Sequence, residues 1–495
     1  MPIGIIKLYQ AMTTESKEEK LLDPRKQWVK FVIATLLYLL FLYWVGSWWG
    51  LLVVPFIFDA YISKKIPWTW WKKSKNKNFV WIMGWVDAIV FALVAVYFVN
   101  QFFFQNYVIP TSSLEKSLLV GDYLAVSKVS YGPRIPQTPL TMPLTQHTLP
   151  VLNCKSYLEW PQWEYRRVKG LGNVQLNDIV VFNYPSGDTV ALNAQNADYY
   201  TLVYGYGAQL NPNKPVMDSL TTLQQRAVYA QNYAYGARYI KQNPQQFGEV
   251  TARPTDRREN YVKRCVGLPG QTLQIKDRII YLDGVANKEP DNVQYNYLVT
   301  TNRPIPVELA RQLGISNEDL MNRNQQGTMY CLPLTEATKQ GLQARKDIVR
   351  DINPYPDEQM GDLYPLNMYK DWTCDNYGPV WIPKKGESIR LTLENLPIYE
   401  RPIAIYEGNR LEVTPQGKIL INGVETDTYT FRQDYYWMQG DNRHNSADSR
   451  YWGFVPEDHI VGKPLFIWLS LDKDRSLFDG KIRWKRLFKW VEDIK

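Results

Sequence analysis

Histidine is almost missing from this chain: three residues among 495, alongside four cysteines. Neither a His-Glu-x-x-His run nor a paired Cys-x-x-Cys occurs, so the common zinc signatures are absent and no metal or other cofactor is implied. Four cysteines in a chain of this length make no disulfide framework. No basic run is dense enough to suggest nucleic acid, and the net charge of +8 is modest. Residues 1–30, polar and mixed in charge, carry no cleavable signal pattern. With imidazole so scarce, any activated nucleophile here needs a different kind of base.

Tryptophan and tyrosine, by contrast, are plentiful, with 18 and 34 residues. That composition suits a protein that works against a lipid interface. Two apolar runs follow. Residues 31–58 are almost wholly apolar apart from the patch Gly46-Ser47-Trp48-Trp49-Gly50. They predict one long tilted helix, or a helix with a bent interfacial end; two full spans would not fit. The run 79–104 predicts a second span. Between them, Lys64, Lys65, Lys72, Lys73, Lys75 and Lys77 stand among Trp68, Trp70 and Trp71. Lysines beside tryptophans mark a membrane boundary, and their density assigns this loop to the cytoplasmic side. Everything after Phe104 is then expected outside the cytoplasm.

Beyond the second run the pattern changes to short strands. Tyr123 to Val129 alternates, residues 131–150 are Pro-rich and extended, and Asn177-Asp178 turns into the apolar Ile179-Val180-Val181-Phe182. Residues 186–256 are rich in Tyr, Gln, Asn and Ala, helical from 219 to 242, and too thinly apolar for a core of their own. Strands return over 261–285, with a turn at Asp283-Gly284. A second inserted stretch, 286–387, holds a short helix at 306–313 stopped by Gly314, with Ser316 as a cap for the next. Cys331 and Cys374 both fall in it, and an extracytoplasmic location permits either a bridge between them or two free thiols. Strands resume at 388–393 and 418–424. The basic, aromatic end, 481–490, suits either a surface helix on anionic lipid or a tail packed on its own domain.

Four stretches carry a resemblance. Ile109-Pro110-Thr111-Ser112-Ser113-Leu114 with Gly121-Asp122 resembles the nucleophile box of the bacterial type I signal peptidases, although Leu114 stands where Met is usual and Lys116-Ser117 where Pro-Thr is usual. Asn177 to Phe182 resembles the strand lining that family's substrate groove. Tyr261-Val262-Lys263-Arg264-Cys265-Val266-Gly267-Leu268-Pro269-Gly270 resembles its lysine box. Gly440-Asp441-Asn442-Arg443-His444-Asn445-Ser446-Ala447-Asp448-Ser449-Arg450-Tyr451-Trp452-Gly453 resembles its last box almost residue for residue. The four occur in the family's order.

The residue types suit the chemistry. A serine hydroxyl is a weak nucleophile and needs a base within hydrogen-bond reach. A free lysine, with a pKa of about 10.4, is protonated at neutral pH. Burial among apolar residues, such as those flanking Lys263, disfavours the charged form and frees the amine. The resemblance implies Ser113 as nucleophile and Lys263 as base. It also implies an oxyanion hole from the Ser113 N–H and the Thr111 hydroxyl, and Ser446 orienting the amine. Leu114 and Ile179, Val180, Val181 and Phe182 would wall the groove, an extended peptide pairing with that strand's edge. Asp441 and Asp448, with Arg264 and Arg450, read as ion pairs holding the boxes together. His444 is a tolerated loop residue where the family often has Asp; a Ser–His arrangement through it is the alternative.

The resemblance therefore implies a mostly β catalytic domain of the signal-peptidase-like fold, N-terminal transmembrane helices and two insertions of mixed or partly helical structure. The segments run 1–30, 31–58, 59–78 and 79–104, then 105–185 with the nucleophile and the insertion 186–256. After them come 257–285 with the lysine, the insertion 286–387, the final strands 388–470 and the tail 471–495. The implied function is a bacterial inner-membrane endopeptidase with an extracytoplasmic catalytic domain. Its partners would be preprotein signal peptides cut after small-x-small motifs, the lipid bilayer and, as a further candidate, the protein export machinery. Two other classes stay open: a self-cleaving Ser/Lys repressor, and a catalytically silent membrane-tethered β scaffold.

Overall fold

The computed structural model describes residues 24–152, 154–185, 189–194, 198–357, 363–366, 368–476 and 478–494. Residues 1–23 of the expected polar segment lie outside them. The chain divides into two units, Met1–Val96 and Tyr97–Lys495.

In the first unit the apolar run 31–58 folds as a helical hairpin. Helix α1, Pro24–Val45, is long and apolar enough to cross a membrane. It ends at Gly46, whose φ of +67° turns the chain, and a shorter apolar helical segment, Trp49–Ser63, returns along it. The Tyr38 hydroxyl donates to the Gly50 carbonyl at 2.8 Å, and the Phe58 ring lies 5.4 Å from that of Phe31 and 6.3 Å from that of Trp28. A Cβ on Gly50 would come within 2.1 Å of a Leu42 methyl, so a larger residue there would require the Leu42 side chain to move. Of the two shapes the sequence allowed, the bent one is adopted, but the bend is complete and Phe58 returns to the first turns of α1, beside Trp28 and Phe31. A second long apolar helix, α2, Lys77–Phe102, leads out of this unit.

In the second unit a sheet collects strands from widely separated parts of the chain. In chain order they are β1 (Phe104–Val108), β2 (Asp122–Ser127), β3 (Ile179–Asn183), β4 (Asn260–Gly267), β5 (Tyr435–Gln439), β6 (Val455–Pro456), β7 (Ile460–Ser470) and β8 (Lys489–Trp490). Their spatial order is β1-β2-β7-β3-β4-β5-β6, with β8 also on β7 and every pairing antiparallel. Apolar layers cover both faces. Ile179 and Val181 join Leu114, Leu118 and Leu124 on one side, while Val180 and Phe182 join Cys265, Met438 and Trp452 on the other. All five residues of β3 are therefore buried, which explains its unbroken apolar run.

The two inserted stretches differ from each other. Residues 199–242 form an antiparallel pair, α3 (Tyr199–Leu210) and α4 (Thr222–Gln242), the latter opened by a Thr221/Gln224 capping box. Contrary to expectation this stretch has a small core of its own: Tyr199, Val203, Ile240 and Phe247 are buried together. Tyrosine supplies what aliphatic residues do not, with Tyr204 stacked on Tyr229 at 4.9 Å and Tyr206 on Tyr239 at 5.3 Å. The second stretch holds a three-stranded sheet, Met329–Leu334, Tyr295–Thr301 and Val349–Pro354, over its own apolar cluster. Short helices stand at Val307–Gln312 and Asn317–Met321, the second capped by Ser316. Of the two states open to Cys331 and Cys374, the free thiols are found. Cys331 lies in that sheet, while Cys374 packs elsewhere with its sulfur 3.1 Å from the Tyr451 hydroxyl.

The C-terminal segment is not a surface helix. It makes a 3-10 turn, Trp484–Arg486, pairs with β7 through β8 and ends in a second 3-10 turn, Val491–Asp493. Arg486 anchors it, reaching the buried Asp122 at 2.6 Å, while Trp484, Phe488 and Trp490 stay exposed.

Candidate active site

Ser113 lies in a one-turn 3-10 helix, Ser112–Leu114, entered from an extended Thr111. Pro110 has no N–H for a ladder, and the pairing of β1 with β2 stops at Val108. The turn is locked at its base. Ile109 donates to the Asp122 carbonyl at 2.9 Å and accepts from the Gly121 N–H at 2.9 Å. Gly121 has φ +88°, and a Cβ there would sit 2.0 Å from the Leu471 carbonyl oxygen. Only glycine fits. Asp122, fully buried, accepts from the Leu119 N–H at 2.8 Å and from Ser470 and Arg486 at 2.6 Å each.

Lys263 projects from β4, directly opposite Val180 of β3. Cross-strand partners share a face, so the lysine stands in the apolar layer of Val180, Tyr261 and Cys265. It is 3% exposed, and its Nζ lies 2.6 Å from Ser113 Oγ. Burial lowers the ammonium pKa to about 8, against the upward pull of the Asp448 and Asp441 carboxylates.

The last box builds the frame around this pair. Asp441 takes two bonds from Arg264, at 2.8 and 2.7 Å, and a third from the Ser117 hydroxyl at 2.5 Å. Burial alone would raise the Asp441 carboxyl, but Arg264 and then Ser117 hold it below the ordinary range. Arg450 binds Asp448 at 2.9 and 2.8 Å, and Asp448 also accepts the Gly440 N–H at 3.2 Å. Asn442 grips the turn itself, its backbone N–H donating to the Ser113 carbonyl at 3.1 Å and its side chain to the Ser112 carbonyl at 3.2 Å.

Several expected placements differ. Ser446 makes no hydrogen bond to Lys263; its hydroxyl lies against Gly440 and reaches the Ala447 carbonyl at 3.4 Å. Thr111 is exposed, and its hydroxyl makes no cap bond to the turn. Leu114 has no accessible surface, because it packs under the turn with Ile109, Leu118 and Ile179. β4 pairs along the whole of β3, and on the other edge β7 pairs with Val181 and Phe182, which leaves only Ile179 and Val180 without a strand partner there among the described residues. His444 has both ring nitrogens engaged away from Ser113: Nδ1 accepts the Asn296 N–H at 3.1 Å and Nε2 lies 2.7 Å from Asp375. The Ser–His alternative has no geometry behind it.

Sequence reasoning missed Ser117, Asn442 and Arg486. The Gly-Asp pair at 121–122 signals an anchored carboxylate, but nothing local announces a partner 364 residues away.

With that geometry in hand, comparison with known proteins gives a match to the family described as signal peptidase, peptidase S26, over residues 82–329 and 385–469. The chain belongs to this family. Family membership makes it a serine peptidase, a hydrolase, and the fold is mostly sheet with apolar N-terminal helices as that membership implies. A Signal peptidase I of Buchnera aphidicola subsp. Acyrthosiphon pisum is 21% identical over 453 residues, 89% of this chain and 94% of the relative. One from Buchnera aphidicola subsp. Baizongia pistaciae is 45% identical over 238 residues, 48% of this chain and 59% of its own length. A Signal peptidase I of Helicobacter pylori J99 is 32% identical over 151 residues, 29% and 47% of the two chains.

Proposed function

We propose that this S26 chain is a bacterial membrane-bound endopeptidase that removes signal peptides from exported preproteins, with Ser113 as nucleophile and Lys263 as general base. The observation that carries the proposal is the 2.6 Å approach of a buried, deprotonation-prone Lys263 amine to Ser113 Oγ. The neutral amine accepts the hydroxyl proton as Oγ attacks the carbonyl carbon of the scissile bond. The Ser113 N–H, in the first turn of its helix and so without an intrahelical partner, and the exposed Thr111 hydroxyl stabilise the oxyanion. Collapse expels the amino group of the mature chain, which takes the proton back from Lys263. Water then attacks the acyl-serine with Lys263 again accepting a proton, Lys263 returns that proton to Ser113 Oγ as the ester bond breaks, and the signal peptide leaves as an acid. In this reading Asp441–Arg264 and Asp448–Arg450 position the boxes, and Ser446 acts through packing on Gly440.

The substrate strand lies on β4, not on β3. Pairing of β5 with β4 begins only at Arg264, so the edge from Asn260 to Lys263 is free of strand partners among the described residues. A peptide added there ends at the Ser113–Lys263 pair, which suits β-addition. The silent-scaffold and self-cleaving-repressor readings have no observation behind them.

The enzyme is anchored by its apolar helices, with the lysine-rich loop 61–78 cytoplasmic and the catalytic domain outside. Because the hairpin brings Phe58 back beside Trp28, the basic residues Arg25, Lys26 and Lys30 share that side with the loop that follows. Exposed Trp484, Phe488 and Trp490 beside Lys485 and Lys489 supply a surface for lipid headgroups. A cysteine at Asn76 is expected to resist membrane-impermeant maleimide in intact cells and to react after permeabilisation; labelling in intact cells overturns this sidedness.

The activity is tested by incubating the purified full chain with a precursor bearing a signal peptide. Wild type yields the mature N-terminus and Ser113→Ala does not. Equal cleavage by both would remove the proposal.

A further inference from the structure

The helical insertion is more than decoration beside the Ser113–Lys263 pair. One face of α3 opens onto a cavity of about 580 Å³, within the range of about 300–1,000 Å³ usual for ligand sites. Leu202, Gly205 and Gln209 recur on that face at helical spacing, while Val203 and Gly207 on the other are buried, Gly207 against α4. The opposite wall comes from the catalytic frame: Tyr184, Ala447 and Trp452.

That wall is continuous with the candidate active site. Tyr184 stacks on Tyr261 at 4.7 Å, and Trp452 meets the same ring edge-on at 5.5 Å. The Tyr261 ring in turn lies 5.7 Å from Lys263 Nζ. Ala447 adjoins Ser446, and a Cβ placed on Gly440 would touch both Ser446 Oγ and the Ser113 carbonyl. The helix is also pinned in position. Asp198 caps α3 through the Tyr200 and Thr201 N–H groups, and its other oxygen takes Arg401 at 3.1 Å. Arg401 donates as well to the Trp452 carbonyl at 3.1 Å. One guanidinium therefore fixes the two walls relative to each other. The buried indole N–H of Trp452 has no hydrogen-bond partner among the described residues.

We infer that this cavity is a substrate subsite, in which α3 and the last box hold a stretch of the precursor chain beyond the residues flanking the scissile bond. The inference rests on the Ser113–Lys263 reading above. Its occupant follows from continuity: a polypeptide laid on the free edge of β4 passes Tyr261, and its chain continues into the open cleft that the insertion borders. Apolar walls with a few polar groups accept a larger side chain than the scissile position does.

Gly205 allows a clean test, because a Cβ there meets nothing within 4 Å. Gly205→Trp fills the cavity without a backbone clash, and Gly205→Ala controls for helix propensity. Both are assayed in the full detergent-solubilised chain on a precursor peptide extending well past the scissile bond on both sides, and on the same peptide shortened from either end. Gly205→Trp is expected to lower kcat/KM on the long peptide at least about tenfold, in line with steric exclusion from a pocket. Shortening from one end should erase the difference, and that end identifies the segment held; Gly205→Ala should match wild type throughout. If Gly205→Trp cleaves every length as wild type does, or loses the same factor on all of them, the subsite is refuted. Failure of the nucleophile reading shows separately, as activity retained by Ser113→Ala.

Discussion

Ser113→Ala, Lys263→Ala and the double variant are expected to lose the same activity, roughly four to six orders of magnitude in kcat/KM, instead of multiplying their losses. The reason is that neither group works alone. Without the amine, Oγ keeps its proton; without Oγ, the amine has nothing to activate. Lys263→His is expected to be nearly as poor as Lys263→Ala. Its ring is shorter than the lysine chain and would have to displace the packing of Val180, Tyr261 and Cys265 to reach Ser113. Steady-state kinetics on a precursor peptide checks the set. Losses that multiply, or a Lys263→His enzyme with most of its activity, would mean that the two residues are not one unit.

The second large effect is on stability. Asp441 has no accessible surface and is the bidentate partner of Arg264, itself 5% exposed. Asp441→Ala leaves that guanidinium buried without its counter-charge, which costs about 3–5 kcal/mol. Arg264→Met/Asp441→Leu removes both charges and should recover much of the loss, since a buried ion pair is worth little against packed apolar residues. Denaturant unfolding of the solubilised chain measures both. A loss below about 1 kcal/mol for Asp441→Ala would show that Arg264 finds water or another partner, contrary to its burial here.

The Asp441–Arg264 pair also illustrates what sequence can and cannot carry. Its two members were legible because each sits in a run with a recognisable pattern, and the burial of Lys263 was legible from its apolar neighbours. The edges of β3 were not. Its apolar run says that both faces are covered and nothing about the edges; only the registers with β4, β5 and β7 show how little edge β3 leaves open and that Asn260–Lys263 of β4 lacks a strand partner on one side. The full burial of Leu114 was out of reach for a related reason: adjacency to Ser113 in sequence says nothing of which side of the turn a side chain takes. Of the helical pair, α4 was expected but neither α3 nor the core between them, because tyrosine counts as half-polar in composition yet stacks as an apolar ring between two helices. The hairpin after α1 hung on Gly46 and Gly50. A pair of glycines inside an apolar run permits a bend without specifying its angle.

The claim on which the rest depends is that a buried lysine supplies the base. The pH dependence of kcat/KM for wild-type enzyme on a precursor peptide tests it most directly. Lys263 must be neutral to accept the Ser113 proton, and burial brings its pKa to about 8. Activity should therefore rise by about tenfold per pH unit below pH 8 and level off above it, since the free enzyme's base governs kcat/KM. A profile already flat above pH 7, with its break near the ordinary histidine value of about 6.5, would contradict the account.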